Sequence, residues 1–258
     1  MANQLQAQFV DLAQEDSVTA AQVTQLQQEG PPWTGVSMQC SNGLYTYADW
    51  FGAVWKAAGP GDHNPNYGRS TFRMAYHYFV CVSPGSTAEE VAANGVKQAN
   101  IACDAVAAAG GWATGDLAMG VDIENGEQPE GLTATDVTGG VTAFADQVLA
   151  RTGRRPILYG GSLIRALGIT SRMGCAYYWF PEWSPELDWT LVQRAGWDEA
   201  STLLWQDVGD GSPTAPPGYS HITPIGGNLD ISTMVLGNMP YDQQIPWLVA
   251  YCAQAKTA

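Results

Sequence analysis

Leu117-Ala118-Met119-Gly120-Val121-Asp122-Ile123-Glu124 is a short apolar run that closes on two carboxylates one residue apart. Read as a strand, its period of two sends Asp122 and Glu124 to one side of a sheet and Val121 and Ile123 to the other. Two acids at the end of a buried strand cost desolvation and mutual repulsion. General acid catalysis is one chemistry that uses such a pair.

The segments around this run alternate in type. Upstream, residues 33–38 read as a strand and 46–58 as a helix. Residues 71–82 read as a strand rich in aromatics, and a helix follows, capped by Ser86 or Thr87 and closed by Gly110-Gly111. Downstream, a helix over 135–151 leads to a strand at 155–160 and a short helix at 162–167. Further strands read at 176–181, 203–207 and 226–231, and a terminal helix lies within 240–258. Strands alternating with helices imply βα units, a parallel sheet and helices outside it. A chain of 258 residues suits one irregular TIM-like (β/α) barrel of the α/β class. Sites in such folds gather at the carboxyl ends of the strands. There the sequence places His77, Glu124, Tyr159, Trp179, Gln206 and a third acid, Asp230.

The first thirty residues differ in composition, with many Gln and Ala and no Gly before Gly30. Leu5, Phe9 and Leu12 fall on one helical face, and Thr19 is placed to cap a second helix bearing Val23 and Leu26. The expected division is therefore an amino-terminal helical arm over 1–30 and a barrel domain over 31–258. Such an arm would pack on the barrel, or dock a partner or a second copy of the chain.

Composition narrows the partners. The net charge is −14, with 25 acidic and only 11 basic residues. Nucleic acids and anionic membrane surfaces need a basic face, so both are excluded as partners. A neutral or basic ligand is compatible, and a sugar polymer qualifies. Ten Trp and eleven Tyr serve equally as core and as groove floor. The five cysteines form no CxxC pair, and Cys81 and Cys103 sit in apolar surroundings as expected buried thiols. The three histidines lack metal-ligand spacing, and Gly160-Gly161 lacks the lysine and spacing of a phosphate loop. No metal and no cofactor is expected. The first ten residues lack the basic and apolar regions of a signal peptide, and no stretch is long enough to span a membrane. The expected product is soluble and made in the cytoplasm.

Several stretches together resemble one family. They are Ala75-Tyr76-His77-Tyr78-Phe79, Val121-Asp122-Ile123-Glu124, Pro156-Ile157-Leu158-Tyr159, Tyr177-Tyr178-Trp179-Phe180-Pro181-Glu182-Trp183, Leu204-Trp205-Gln206 and Gly227-Asn228-Leu229-Asp230. In this order, over roughly residues 33–236, the chain resembles the family 25 glycoside hydrolases, the lysozyme-like muramidases of phage endolysins and bacterial secreted enzymes. The resemblance implies a flattened (β/α) barrel acting on peptidoglycan between N-acetylmuramic acid and N-acetylglucosamine. It implies Glu124 as general acid, Asp122 as the acid that assists it and Asp230 as a further groove acid. Tyr76, His77, Tyr159, Trp179 and Gln206 would hold the sugars. It also implies action on the cell wall after lysis, or from within a virion, where a phage structural protein would be a partner.

Two departures stand out. The family's first strand carries an Asp, and the segment Gly35-Val36-Ser37-Met38 has Ser37 in its place, facing the substrate groove. The family's second strand and helix would be shortened or lost, since residues 59–72 read only as a Gly/Pro/Asn loop. These departures motivate a second expectation: a catalytically weak or inactive glycan-binding or structural component of a larger assembly. At single residues, Glu124 has the alternative of an ion pair with Arg155, Asp230 that of a loop anchor, and His77 that of a hydrogen-bonded residue with no proton to transfer.

Overall fold

Residues 6–28, 33–59, 72–184, 186–209, 225 and 229–253 are described by the structure, a computed structural model. Its strands are β1 (Gln8–Leu12), β2 (Trp33–Asn42), β3 (Tyr45–Thr46), β4 (Phe72–Tyr78), β5 (Gly120–Asp122), β6 (Ile157–Tyr159), β7 (Tyr177–Pro181), β8 (Thr202–Val208) and β9 (Asp230–Met234). Its helices are α1 (Ala20–Gln28), α2 (Ala48–Ala58), α3 (Ala88–Ala108), α4 (Ala134–Thr152), α5 (Ser162–Ala166), α6 (Trp189–Arg194) and α7 (Tyr241–Cys252). The sheet runs β1-β9-β8-β7-β6-β5-β4-β2-β3, and a further β1–β2 pairing closes it. β3 is a hairpin return on β2, so the other eight strands form a closed barrel.

Alternation along the strands sorts the apolar residues into two sets. Phe9, Phe72, Met74, Ile157, Trp179, Leu204 and Met234 form one buried cluster that fills the barrel. Val10, Val36, Met38, Val121, Leu158 and Phe180 belong to another, packed between the sheet and the helices. Filling a small barrel demands room as well as bulk. A Cβ on Gly35 would lie 2.1 Å from the Phe9 ring, and one on Gly120 would lie 2.7 Å from Tyr76 Cβ. Outside, α3 and α4 begin with reciprocal caps, Thr87 with Glu90 and Thr133 with Asp136, each worth about 1 kcal/mol.

α7 closes the end of the barrel where the parallel strands begin. Its Leu248 and Cys252 join the interior cluster, and the Trp247 ring meets Tyr177 edge-on at 5.6 Å. Gln244 accepts a hydrogen bond from Ala7 N at 2.7 Å and donates to Met234 O at 3.0 Å. At the same end Arg73 grips Asp116 with two bonds, Nε–Oδ1 2.6 Å and Nη2–Oδ2 2.9 Å, and lies 3.9 Å over the Trp55 ring.

The amino-terminal segment corrects the sequence expectation. Residues 8–12 are not a helix of an arm but β1, parallel to β2 and antiparallel to β9. Phe9 packs inside the barrel while Leu12 packs outside it, so the spacing that suggested one helical face belongs to two faces of a strand. The second expected helix is present as α1, with Val23 and Leu26 buried and Thr19 Oγ1 accepting from Gln22 N. Residues 8–28 are thus wall and cladding of the barrel rather than a separate docking arm; residues 1–5 lie outside the described ones. The expected loss of a unit is corrected too. β2 and α2 form the second unit, and β2 pairs directly with β4; residues 60–71 lie outside the described ones. The remaining strand and helix expectations fall on observed elements, with boundaries shifted by a few residues.

Candidate active site

The barrel mouth is assembled strand by strand. β1 contributes Asp11, β2 Gln39, β4 Tyr76 and Tyr78, β5 Asp122 and, two residues past its end, Glu124; β6 contributes Tyr159. β9 runs opposite to its neighbours, so its first residue, Asp230, arrives at this same end, directly across from Asp11. Glu15 and Asp16, in the turn after β1, complete one rim. Together these residues line a cleft of about 200 Å³. Six carboxylates line it, and among the described lining residues none is Lys, Arg or His.

Uncompensated burial sets the protonation of the floor. Burial pushes the Asp122 carboxyl well above the usual range, and the neighbouring charges of Glu124 and Asp11 add to the rise. Asp122 Oδ1 is buried and has no hydrogen-bond partner. Asp11 is also held well above the usual range, first by burial and then by Asp230 and Asp16, against hydrogen bonds from Ser37 and Tyr76 that pull it back. Glu124 is only half-buried, at the edge where a ligand can reach it.

Beneath the acids runs a polar chain. The Tyr159 hydroxyl donates to Gln206 Oε1, and Gln206 Nε2 donates to Asp230 Oδ2 at 2.6 Å. Trp179 stands below, edge-on to Tyr159 at 4.7 Å and to Tyr76 at 5.9 Å, its Nε1 fixed on Ser232 Oγ at 2.7 Å. These contacts lock the two tyrosines that form the floor.

Of the sequence-derived site residues, Asp122, Glu124, Asp230, Tyr76 and Tyr159 meet in the cleft. Gln206 and Trp179 support it from below. Ser37 is fully buried and donates to Asp11 Oδ1 at 3.2 Å, so the acid sought at its position stands on the neighbouring strand. His77 does not belong to the groove. It faces the helices, stacked on Phe144 at 5.2 Å, with Nδ1 bonded to Ser41 Oγ and Nε2 to Gln98 Oε1. Burial lowers its pKa to about 4, as expected of a neutral core imidazole. Period two explains the miss: Tyr76 and Tyr78 point in, so His77 points out. Arg155 pairs with Asp146 and donates to Gly174 O at 2.8 Å. Trp205 is buried and Trp183 exposed.

Sequence reading missed Asp11, Gln39 and Tyr78. The signal for Asp11 was present: Phe9-Val10-Asp11 repeats the pattern of Gly120-Val121-Asp122, an apolar stretch ending in an inward acid. Among the described residues, no three His, Cys, Asp or Glu side chains are grouped to hold a metal ion. All five cysteines are buried and free.

With the geometry in hand, comparison with solved structures is informative. A muramidase from Acremonium alcalophilum superposes with TM-score 0.63 at 18% identity, covering 96% of this chain and 99% of the other. A family 25 glycosyl hydrolase from Bacillus anthracis gives 0.60 at 16%, covering 91% and 90%. The catalytic domain of endolysin ply40 from a phage of Listeria monocytogenes gives 0.58 at 16%, covering 95% and 98%. The fold is that of the family 25 glycoside hydrolases. No family sequence model matches the chain, and no curated protein does. The likeness is thus one of architecture, spread over nearly the whole length of both chains, while sequence identity has fallen below one residue in five. No helix among the described residues is long and apolar enough to cross a membrane.

Proposed function

We propose that the protein is a peptidoglycan hydrolase, an N-acetylmuramidase that cleaves the glycan strand by general acid catalysis at Glu124, assisted by Asp122. The observation that carries this reading is the mouth itself: a barrel of the family 25 fold with Asp11, Asp122, Glu124 and Asp230 around one cleft and no basic side chain among its described lining.

Glycoside hydrolysis needs a protonated carboxyl at the leaving oxygen and negative charge near the oxocarbenium ion that develops. The charge of Glu124 repels that of Asp122 and adds to the rise of the Asp122 pKa. Burial favours the proton on Asp122. An acetamido N–H donated to the unpartnered Asp122 Oδ1 favours its charged form, and the shared proton then belongs to Glu124. Glu124 delivers it to the glycosidic oxygen as the bond to the sugar breaks, and a water molecule adds to the anomeric carbon and returns a proton to the carboxylate pair. Asp230 supplies negative charge opposite, with Asp11 directly across from it. Tyr76 and Tyr159 present a rigid floor to the sugar rings, and Asp230 is oriented by Gln206. The substrate so recognised is a glycan carrying N-acetyl groups, met at the bacterial wall after lysis or from a phage particle.

The alternative is a catalytically weak or inactive glycan-binding or structural component; the acid that Asp11 brings to the mouth and the unit formed by β2 and α2 favour the catalytic reading over it. The decisive experiment incubates the pure protein with purified peptidoglycan and measures new reducing ends, with Glu124→Gln beside it. Release by the parent alone supports the reading; equal release by both, or none by either, overturns it.

A further inference from the structure

The cleft is lopsided in its hydrogen-bonding chemistry. Its side chains are six carboxylates, three tyrosines, Ala13 and Gln39. Tyr76 donates its hydroxyl to Leu12 O and Tyr159 donates to Gln206, while the Tyr78 hydroxyl accepts from the Glu127 amide and keeps its own O–H at the rim. Gln39 therefore carries the one side-chain N–H donor among the described residues that line the cleft. It is 6% exposed, and its Oε1 is buried without a hydrogen-bond partner. A buried amide left so costs about 1–3 kcal/mol.

The backbone aims this residue. Gln39 lies across from Tyr76, and immediately after it the register of β2 against β4 slips, so that Ser41 rather than Cys40 faces His77. A bulge of this kind redirects side chains at a barrel rim. It leaves Gln39 turned into the cleft, between Asp11 on one side and Tyr76 and Asp122 on the other. Ser41 turns outward to His77.

We infer that Gln39 is a substrate-binding residue that recognises an N-acetyl group of the bound glycan, its amide N–H donating to the acetyl carbonyl. This rests on the muramidase reading and names what the cleft selects. Sugar hydroxyls can donate to any of the six acids. A carbonyl oxygen accepts only; ionised carboxylates repel it, and Asp122 and Asp11 can donate to it only while they hold a proton. The carboxamide donates at every pH, and its oxygen accepts a hydroxyl or N–H of the same sugar.

The test is a cycle of two proteins and two ligands. Glycan strands freed of peptide are prepared fully N-acetylated and, in parallel, chemically de-N-acetylated. Binding of each is measured by calorimetry in the Glu124→Ala background, with Gln39 intact and with Gln39→Met, a variant of similar length without the amide. Any attraction of the freed amines to the acids is common to both proteins and cancels in the cycle. The expected result is that Gln39→Met weakens binding of N-acetylated strands about tenfold, the effect of roughly one well-made hydrogen bond, and leaves de-N-acetylated strands within twofold. Equal effects on the two ligands, or none on either, overturn the inference while leaving the muramidase reading in place. Absence of any strand binding by the intact-Gln39 protein, with no reducing ends released by the parent, overturns both. Melting curves accompany each variant; if Gln39→Met is poorly folded, Gln39→Leu, which also lacks the amide and adds no charge, takes its place with the same expected selectivity.

Discussion

The two ends of the barrel treat buried carboxylates in opposite ways. At the closed end Asp116 is fully buried and answered: Arg73 supplies two charge-assisted bonds and Ala113 N a third at 2.7 Å. Burial raises its pKa, and these partners pull it back. At the open end Asp122 is buried and Asp11 half-buried, yet the charges acting on them are other acids. One end is arranged for stability and the other against it. A site that must hold a proton and attract a donor-bearing ligand gains from the burial and repulsion that weaken it, because the same two causes keep the pKa raised.

This contrast can be broken at either end. The largest expected effect is at the mouth: Glu124→Gln lowers release of reducing ends by about 10²–10⁴-fold, with an unchanged melting midpoint; a drop of less than tenfold would remove Glu124 from the role of acid. At the closed end, Arg73→Met strands the Asp116 charge and should cost about 3–5 kcal/mol in urea unfolding, without a change in the pH profile of the residual folded enzyme. Asp122→Asn should move the two quantities in opposite directions: activity falls, while the protein gains about 1 kcal/mol, roughly 2–4 °C in melting midpoint, at pH 8.

The sign of the pH dependence follows from the same acids. A carboxyl whose folded pKa is raised contributes stability that is fully present below its unfolded value, about 3.9, and lost as pH rises through the folded value. Asp122 and Asp11 behave this way, and so does Asp207, a buried acid on the outer face of β8 pushed to about 7. Melting midpoints of the parent should therefore fall as pH climbs from about 4 to above 7, and less steeply in Asp122→Asn. His77 acts in the other sense, since its lowered pKa of about 4 costs stability as pH falls from about 6.5 to 4. The smallest effect on rate is expected there: His77→Gln should leave turnover within about twofold and show its cost, about 1–3 kcal/mol, only in unfolding.

Most of the mouth was legible because its residues follow a local rule. An apolar strand that ends in an acid can be read from eight residues, and Asp122 with Glu124 needed nothing more. The caps of α3 and α4 were equally local, each a Thr with an acid three residues on. Asp11 obeyed the same rule but was hidden by a competing one: Leu5, Phe9 and Leu12 also fit a helix, and five residues cannot decide between the two periods. His77 failed for a related reason, because a strand boundary tells which residues are near an end and not which of two faces each one takes.

The sequence by itself determined the class of fold, the acidic pair at the end of the central strand and the sign of the charge that a partner must tolerate. Those follow from periodicity and composition, which are properties of short windows and sums. Only the tertiary structure decided that Gln8–Leu12 is a strand, since a strand exists by its neighbours and β1 finds them in β2 and β9, at opposite ends of the chain. It decided as well that β9 runs backwards, which carries Asp230 to the mouth, and that Gln39 is left there without a partner. Direction, closure and unmet hydrogen bonds are relations between distant segments, and no local window contains them.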